Sequence, residues 1–566
     1  KNMINAHEKH EEWLVSSKVT SSDKNLLAKM TKQEIEDAFF TDIAFATAGM
    51  RGILGPGTNR INYFTIQRAT VGFALYLLEK FPDTKKRGVA ISHDNRHYSR
   101  EFTLLAAKVL NHFGIKAYIF DSLRPTPELS YAVRYSHCVG GIMITASHNP
   151  KQYNGFKVYD EDGAQLVPDK IARLVEIIED LPDYLQIELP EPYVENTVIY
   201  DKAIDEAYLQ DVKKIQINPA LSKDQLQIVF SPEHGTGAYL GQRLLNELGY
   251  RFSVVEEQMT PDPNFSNTKT PNPEEDGAYE KAIELAKIKN AQLILVTDPD
   301  ADRVGVAFRG RDEQYHRLTG NQSGAMLIYY ILSERNKNGS LSPNSRLYTT
   351  IVTSPLGSKI AAKFGVKSEL FLTGFKFIGH AISEAERNGG PSFAFGYEES
   401  YGCLISPIVR DKDALQALVM YAEMANFYFQ KGLLLDEVYR QIQEEFGYHD
   451  DTIDSVTFPG LEGLKAMNAM LARLREKPLT NIDGIKIIKT TDYLTGIEKS
   501  AAEEKLVSLP QSDVISYLLE TGDRVIIRPS GTEPKCKFYY SICRKSLLEA
   551  TTAKEQIKRA FEKLTK

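Results

Sequence analysis

The sequence lacks several features that would assign it at once to a common class of protein. It has no basic excess: 75 acidic residues outnumber 68 basic ones among 566 residues, for a net charge of −7. This balance argues against nucleic-acid binding through clustered positive charge. The four cysteines form no CxxC pair, so neither a disulfide framework nor a thiolate metal site is indicated. No stretch approaches the roughly 20 apolar residues of a membrane span, and a soluble cytoplasmic protein is expected.

Motifs for nucleotide binding and for hydrolase chemistry are also missing. The chain has no G-x-x-x-x-G-K-[ST] loop for a nucleoside triphosphate. Gly235, Gly237 and Gly241 are spaced one residue too widely for the dinucleotide motif G-x-G-x-x-G. Ser147 does not lie in a G-x-S-x-G elbow, because Thr145 and Asn149 occupy the glycine positions. Neither nucleotide use nor a serine hydrolase is indicated.

The length suggests three or four domains, and an internal repeat indicates what secondary structure most of them contain. A strand, an amphipathic helix that ends at glycine and a second strand occur three times, with first strands at 89–91, 228–230 and 351–352. Such units recur in any large α/β protein, so this pattern alone leaves open whether the three copies are similar domains. The C-terminal part differs, with strands predicted at 525–527 and 537–542 and a last helix from about Ser546. We predict an α/β protein with three similar mixed-sheet α/β domains, 1–205, 206–320 and 321–450, and a C-terminal α+β domain, 451–566.

A polar loop follows the apolar segment 142–144. Ser147 at its tip, beside His148, is a candidate nucleophile or phosphoacceptor, although a turn without chemistry is the simpler interpretation of this loop alone. Asn154-Gly155 is typical of a hairpin turn. The predicted hairpin would return Lys157 toward Ser147, where it could act as a general acid or base.

A second loop carries three carboxylates directly after the apolar segment 293–297. Asp298, Asp300 and Asp302 would repel one another unless a cation lay between them, and oxygen-only ligands favour Mg²⁺. The segment is not an EF-hand, because the sixth position is Arg303 instead of glycine. Arg303 beside the metal would suit a phosphoryl oxygen. A solvated acidic turn is the alternative.

Two further loops combine groups suited to a phosphorylated sugar. Glu398 and Ser400 follow an apolar segment and can bridge adjacent sugar hydroxyls, and Lys376, in a predicted loop at 372–377, could reach the same pocket. Near the C-terminus a guanidinium, two hydroxyls and the backbone around a glycine match a phosphate monoester; these are Arg528, Ser530, Gly531 and Thr532.

Together, TASHNP, DPDADR, GYEESYG and RPSGTEP, in this order, resemble the α-D-phosphohexomutase superfamily, and the similarity extends from TAGMRG at 47–52 to the last loop. Within it the chain is most similar to the long bacterial phosphoglucomutases. The resemblance implies that the fourth domain is TATA-binding-protein-like and that the four domains surround a central cleft. It implies an intramolecular phosphotransferase that interconverts α-D-glucose 1-phosphate and D-glucose 6-phosphate. The reaction would use Mg²⁺, a phosphoserine enzyme and glucose 1,6-bisphosphate as intermediate and activator.

The resemblance also implies a role for each site residue. Ser147 would be the phosphoserine and would share the metal with Asp298, Asp300 and Asp302. Lys157 would be the acid/base. The supporting positions would be Arg51, His148 and Arg303 around the phosphoserine, Lys376, Glu398 and Ser400 at the sugar, and Arg528, Ser530, Gly531 and Thr532 at the phosphate.

Other functions remain open at this stage. A phosphomannomutase, a phosphopentomutase or a dual-specificity mutase would share the four loops. A Mg²⁺-dependent sugar phosphatase could use the same acidic loop and phosphate clamp, and a non-catalytic sugar-phosphate sensor could retain the pocket. The expected partner is a small phosphosugar, with no nucleic acid or membrane, and the protein could be a monomer or a dimer.

Overall fold

Helices and strands alternate along most of the chain. The computed structural model describes residues 5–46, 49–530 and 535–566, except the side chains of Ala46 and Leu461. The helices are α1 (Ala6–Val15), α2 (Ser21–Ala28), α3 (Lys32–Phe39), α4 (Tyr63–Lys80), α5 (Thr84–Arg87), α6 (Ser99–His112), α7 (Thr126–Tyr135), α8 (Pro168–Glu179), α9 (Ala203–Lys213), α10 (Gly237–Glu247), α11 (Glu280–Lys289), α12 (Gly320–Asn338), α13 (Leu356–Lys363), α14 (Phe375–Arg387), α15 (Ala414–Gln430), α16 (Leu435–Phe446), α17 (Gly460–Glu476) and α18 (Leu547–Thr565).

The strands vary from two to ten residues in length. They are β1 (Phe45–Ala46), β2 (Gly49–Ile53), β3 (Val89–His93), β4 (Ala117–Ile119), β5 (Gly140–Ile144), β6 (Tyr153–Tyr159), β7 (Thr197–Ile199), β8 (Gln227–Ser231), β9 (Arg251–Val254), β10 (Leu293–Thr297), β11 (Val304–Arg309), β12 (Tyr315–Arg317), β13 (Ser345–Thr350), β14 (Lys367–Phe371), β15 (Ser392–Tyr397), β16 (Cys403–Leu404), β17 (Tyr448–Thr457), β18 (Asn481–Ile482), β19 (Ile485–Asp492), β20 (Ile497–Ser500), β21 (Glu504–Leu506), β22 (Ile515–Leu519), β23 (Arg524–Pro529) and β24 (Lys535–Arg544).

The chain divides into two compact units. The first comprises the residues up to Gly320 together with Gly374–Leu434, and the second comprises Asn321–Thr373 and the residues from Leu435 on. The first unit contains two complete mixed sheets. Their strand orders are β1-β2-β6-β5-β3-β4-β7 and β12-β11-β10-β8-β9.

Helices cover both faces of the first sheet, which explains its continuous apolar strands. β3 and β5 are buried at every residue and pair in parallel. On one face Val71, Phe73 and Leu77 of α4 belong to the core cluster of β3 and β5, and on the other Leu129 and Val133 of α7 pack beneath the sheet. Burial on both faces removes the need for polar alternation along a strand.

The polar loops of the first unit follow the carboxyl ends of strands. Ser147 comes three residues after β5, Asp298 directly after β10, and Glu398 directly after β15, which pairs antiparallel with β16. Ligand sites in α/β sheets lie at this end of the strands. The fold therefore presents all three loops where chemistry is expected.

The second unit contains a parallel pair, β13 with β14, and an antiparallel C-terminal sheet. The order in that sheet is β17-β24-β23-β22-β19-β20-β21, with β18 attached to β19. Apolar residues of α17 and α18, such as Leu471 and Phe561, pack with Val525 and Ile527 of β23. The predicted class, α/β domains followed by a C-terminal domain with its own sheet, is confirmed.

Three local predictions were wrong. The third repeat begins at β13, and Ile351 and Val352 lie in the turn after it, because the β-branched run continues past the strand end. Asn154 and Gly155 lie inside β6 instead of a hairpin turn, since they pair with Gly52 and Arg51 of β2. Lys376 lies in the first turn of α14 instead of a loop.

Among the described residues, no helix combines the length and the apolar character that crossing a lipid bilayer requires.

Candidate active site

Ser147 lies in a turn that begins where β5 ends. Its φ of +54° is in the left-handed region, which is uncommon for a non-glycine residue and marks a constrained position. The backbone N–H of Ser147 donates to Thr145 Oγ1 at 2.9 Å. Its side chain is buried, and Oγ lies 3.3 Å from His148 Nδ1 and 3.4 Å from Asp298 Oδ2. The turn thus directs the hydroxyl into a group of titratable side chains.

A buried arginine holds this turn. The Arg96 guanidinium donates to the carbonyl oxygens of Ser147 at 2.8 Å and Asn149 at 2.6 Å, and its Nε donates to Asp94 at 3.1 Å. Asp94 also accepts from the Thr145 hydroxyl at 2.7 Å. Charged donors make strong hydrogen bonds when solvent is excluded, so this network stabilises the strained conformation of Ser147.

Asp298, Asp300 and Asp302 form the one group of metal-ligating side chains found in the part of the chain that the structure describes. One potential ligand atom from each lies within 4.8 Å of the others. All three carboxylates are buried. This proximity confirms the acidic cluster that the spacing predicted. Buried carboxylates at this spacing require compensating positive charge.

Protein groups lie within 3.5 Å of both oxygens of Asp298, counting the Ser147 contact, and of one oxygen each of Asp300 and Asp302. Asp298 Oδ1 accepts the N–H groups of residues 302 and 303, both at 3.1 Å. Asp300 Oδ2 accepts the Thr126 hydroxyl at 2.7 Å, and Asp302 Oδ2 lies 3.3 Å from Lys412 Nζ. Oδ1 of Asp300 and Oδ1 of Asp302 are buried without a hydrogen-bond partner among the described residues. Unpartnered carboxylate oxygens suit a hard divalent cation such as Mg²⁺.

The protonation of the cluster reflects its crowding. Burial, reinforced by the Asp302 and Asp300 charges, raises the pKa of Asp298 well above its usual value. Burial alone would also raise the pKa of Asp302, but the Lys412, Lys157 and Arg303 cations outweigh it and lower that pKa. Without a bound cation the cluster therefore holds one carboxyl that resists ionisation beside one that is firmly ionised.

Cationic side chains surround the serine and the carboxylates. Arg51 donates to Asn149 Oδ1 at 3.0 Å, Lys157 Nζ lies 3.5 Å from Asp300 Oδ2, and Arg303 lies 3.8 Å from Asp302 Oδ1 and 3.3 Å from Glu274. Four cations, counting Lys412, can compensate the charge of a phosphoryl group at Ser147.

His148 is an uncharged neighbour of the serine. Burial, followed by the charges of Arg303 and Arg51, lowers the pKa of His148 well below its usual range. The imidazole is therefore neutral at pH 7 and can hydrogen-bond the Ser147 hydroxyl without adding another positive charge.

The loop after β15 carries the side chains expected at a sugar. Glu398 is buried, and its Oε1 accepts the N–H of Gly374 at 2.8 Å, whereas Ser400 is half-buried. Burial lowers the pKa of Lys376 to about 8, against the opposing charge of Glu398. The charges of Glu398 and Lys376 thus interact, and a sugar pocket shared by the two segments stays a prediction.

Arg528 lies in the second unit, near the end of β23. Its Nε and Nη2 donate to the Tyr539 hydroxyl at 3.2 and 3.0 Å. The N–H of Ser530 donates to the Lys535 carbonyl at 2.8 Å. Gly531 and Thr532 lie outside the described residues.

The sequence did not identify the residues that support the Ser147 turn and the carboxylates through hydrogen bonds and ion pairs. Arg96 and Asp94 follow β3, at the same sheet edge as Ser147, and a polar sequence after a buried strand was the available signal. Lys412 belongs to the dense charged run Arg410–Asp413. Although burial would lower it, the pKa of Lys412 is raised by the carboxylates of Asp302, Asp411 and Glu398. The carboxylates that Arg96 and Lys412 contact are set by the tertiary fold, so the sequence alone did not identify them.

Sequence models of all four domains of one family match the chain. They are described as phosphoglucomutase/phosphomannomutase alpha/beta/alpha domains I, II and III and the C-terminal domain, and they match residues 42–184, 206–311, 319–446 and 472–557.

Curated relatives and solved structures agree with this match. A phosphoglucomutase of Staphylococcus aureus (strain USA300) is 38% identical over 92% of this chain and 93% of its own. One of Staphylococcus haemolyticus (strain JCSC1435) is 39% identical over 90% and 91%. The crystal structure of parafusin, a phosphoglucomutase from Paramecium, has a TM-score of 0.69 at 19% identity and covers 93% of this chain and 95% of its own. That of a putative phosphomannomutase from Thermus thermophilus has a TM-score of 0.66 at 20% identity, over 93% and 99%. The two structures establish a shared fold.

Proposed function

The chain belongs to the phosphoglucomutase/phosphomannomutase family, and we propose that it interconverts α-D-glucose 1-phosphate and D-glucose 6-phosphate. The curated relatives that cover nine-tenths of the chain are named phosphoglucomutases, which favours glucose over mannose or a pentose. The observation that carries the proposal is the position of Ser147 Oγ, 3.4 Å from Asp298 Oδ2 in a buried group of three carboxylates. A serine there can exchange a phosphoryl group beside a divalent cation.

In the proposed reaction, phosphorylated Ser147 transfers its phosphoryl group to the free hydroxyl of a hexose monophosphate. The bond from Ser147 Oγ to phosphorus breaks as the bond from the sugar oxygen forms, and Lys157 exchanges the proton of the hydroxyl. The resulting glucose 1,6-bisphosphate turns over, and its other phosphate returns to Ser147. The serine ends the cycle as it began, so no inorganic phosphate is released.

The chain contributes mainly orientation and charge, as phosphoryl transfer requires. Asp298, Asp300 and Asp302 would hold Mg²⁺, which when bound compensates the charge of the transferring group. Arg51 and Arg303 would orient the phosphoserine, and neutral His148 would accept or donate one hydrogen bond at its oxygen. The substrate contacts would come from three further side chains. Glu398 and Ser400 would bridge adjacent sugar hydroxyls, and the ammonium group of Lys376 would set the orientation of the ring.

A coupled assay tests the function. Purified enzyme should convert glucose 1-phosphate to glucose 6-phosphate when Mg²⁺ and a trace of glucose 1,6-bisphosphate are present, with mannose 1-phosphate turned over more slowly. Inorganic phosphate should stay constant throughout. Stoichiometric phosphate release would identify a sugar phosphatase instead, and faster turnover of mannose 1-phosphate would overturn the glucose assignment.

The pH dependence of substrate capture should report Lys376. With a pKa of about 8, its ammonium is charged below pH 8 and is lost as the pH rises through that value, and a charged group attracts the anionic substrate more strongly. Because kcat/KM follows groups of the free enzyme, we expect kcat/KM to fall above pH 8 in the wild type. Lys376→Arg keeps its charge at any accessible pH and should abolish this fall. An unchanged profile in Lys376→Arg would assign the titration to another group.

We assign the phosphate that is not being transferred to the loop of Arg528 and Ser530. A guanidinium reads phosphate geometry irrespective of the carbon that carries it, so one clamp can serve both monophosphates. Loss of a hydrogen-bonded partner of a bound charge costs about 2–5 kcal/mol. Taking the lower half of that range, about 2–3.5 kcal/mol, Arg528→Ala should lower kcat/KM by roughly 30- to 300-fold, equally for glucose 1-phosphate and glucose 6-phosphate.

Steady-state kinetics in both directions, corrected for the equilibrium constant, make this comparison. Arg559→Ala, which removes an exposed arginine of α18, is the control and should leave kcat/KM unchanged. A defect confined to one monophosphate would show that the loop recognises one end of the sugar, against a shared clamp.

A further inference from the structure

Thr126, the first residue of α7, attaches to the metal loop at two points. Its N–H donates to the Asp300 carbonyl at 2.8 Å, and its hydroxyl donates to Asp300 Oδ2 at 2.7 Å. The side chain is completely buried. Both the backbone and the carboxylate of Asp300 are therefore fixed by one residue that follows a different sheet.

The hydroxyl contact divides the work between the two oxygens of Asp300. Oδ2 is occupied by Thr126 and lies 3.5 Å from Lys157 Nζ, whereas Oδ1 is buried without a hydrogen-bond partner among the described residues. A carboxylate held through one oxygen has a fixed rotamer, and its other oxygen keeps a fixed direction. Outer hydrogen bonds of this kind orient metal ligands and strengthen metal binding.

The turn that carries Thr126 is itself well anchored. The Arg124 guanidinium donates to both oxygens of Asp205, at 2.9 and 3.0 Å, and the Arg124 carbonyl accepts the Ser92 hydroxyl at 3.2 Å. Pro125 precedes the helix, and the N–H of Thr126 is one of the donors that a helix start leaves without an intrahelical partner. Thr126 thus transmits the position of a rigid turn to Asp300.

We propose that Thr126 is a positioning residue of the metal site: its hydroxyl presents Asp300 Oδ1 to the cation. The inference rests on the proposed function in one respect, the binding of a divalent cation by the three aspartates. It adds a residue that touches neither the metal nor the substrate. Its removal should weaken the metal site while leaving the fold and the three carboxylates in place.

Direct binding of Mn²⁺, measured by electron paramagnetic resonance on the dephosphorylated enzyme without substrate, tests the proposal. Thr126→Val removes the hydroxyl at nearly constant volume and should raise the Kd for Mn²⁺ by about 10- to 100-fold. Thr126→Ser keeps the hydroxyl and should stay within about threefold of the wild type. Thr70→Val is the matched control, because it removes a buried hydroxyl bond of 2.7 Å inside α4, and its Kd should be unchanged.

A double-mutant comparison separates positioning from a general structural effect. In an Asp300→Ala background, Thr126→Val should change the Kd by less than about twofold, since the carboxylate on which it acts is gone. A full additional loss in that background would show that Thr126 acts elsewhere and would overturn the proposal.

The remaining outcomes are also decisive. Unchanged Mn²⁺ affinity in Thr126→Val, with wild-type binding intact, would sink the positioning role alone. Absence of Mn²⁺ binding in the wild type would instead sink the metal assignment. If Thr126→Val does not fold, Thr126→Ala removes the same hydroxyl without the branched side chain, and wild-type affinity in that variant would refute the proposal.

Discussion

Replacing Ser147 with alanine is expected to remove nearly all mutase turnover, with kcat lower by at least about 10³-fold. Covalent catalysis has no route without its nucleophile, and in other enzymes the loss of a nucleophilic serine costs more than this. No other described hydroxyl lies at the same point, because the neighbouring Thr145 hydroxyl is committed to Asp94 at 2.7 Å. The variant should remain folded, since the Arg96 bonds to this turn end on backbone carbonyls that alanine retains.

Intact-protein mass spectrometry provides the second readout. The wild type should gain one phosphoryl group on incubation with glucose 1,6-bisphosphate, and Ser147→Ala should gain none. Thr70→Ala removes another buried hydroxyl, inside α4, which packs on the same sheet, and should retain phosphorylation and turnover. Wild-type turnover by Ser147→Ala, or its phosphorylation to the same extent, would mean that the phosphoryl carrier is another residue.

The sequence predicted the reactive and ligating residues of the site more readily than the residues that position them. Ser147, Asp298 and Glu398 each follow an apolar strand, and a polar group after a buried strand is visible in one dimension as a change of composition. Contacts such as Arg96 with the Ser147 carbonyl, or Thr126 with Asp300, join residues 51 and 174 positions apart. Neither partner carries a local pattern that names the other, so only the fold brings them together.

The misplaced turn near the site shows how tertiary context overrides a local signal. Asn154-Gly155 favours a turn, but in β6 the Asn154 amide donates to His97 O and Ser99 Oγ, both at 3.0 Å. A Cβ on Gly155 would lie 2.6 Å from the Thr145 carbonyl. This glycine thus serves close packing beneath the serine turn. The hairpin that returns Lys157 toward the site exists, but its loop lies before residue 153.

Asp298→Asn is expected to have opposite effects on activity and on the stability of the metal-free protein. The amide keeps Oδ1 as acceptor for the N–H groups of Asp302 and Arg303 and removes the charge. Divalent cations contribute several kcal/mol of charge compensation in a phosphoryl-transfer transition state. At about 1.4 kcal/mol per decade, kcat should fall by about 10²- to 10³-fold.

The stability effect follows from the sign of the pKa shift. The carboxyl of Asp298 has a raised pKa in the fold, so at neutral pH the unfolded chain ionises it more readily than the folded chain does. Such a group lowers folding stability at any pH above its unfolded pKa, and the penalty disappears when the pH falls below that value. Without metal at pH 7, Asp298→Asn should therefore unfold at a higher temperature than the wild type.

Thermal unfolding with chelator and with excess Mg²⁺ separates the effect of the Asp298 charge on the metal-free fold from its effect on Mg²⁺ binding. Mg²⁺ should raise the unfolding temperature of the wild type, because a ligand that binds only the folded state stabilises it, and should raise that of Asp298→Asn much less. Asp312→Asn, which removes an exposed carboxylate on the turn before β12, should behave like the wild type in activity and in its response to Mg²⁺. Full activity of chelator-treated wild type would contradict a metal site here. If Lys157, Lys412 and Arg303 alone balanced the charge of Asp298, removing that charge would instead lower the unfolding temperature of the metal-free protein. The direction in which Asp298→Asn changes that temperature therefore decides between the two electrostatic arrangements.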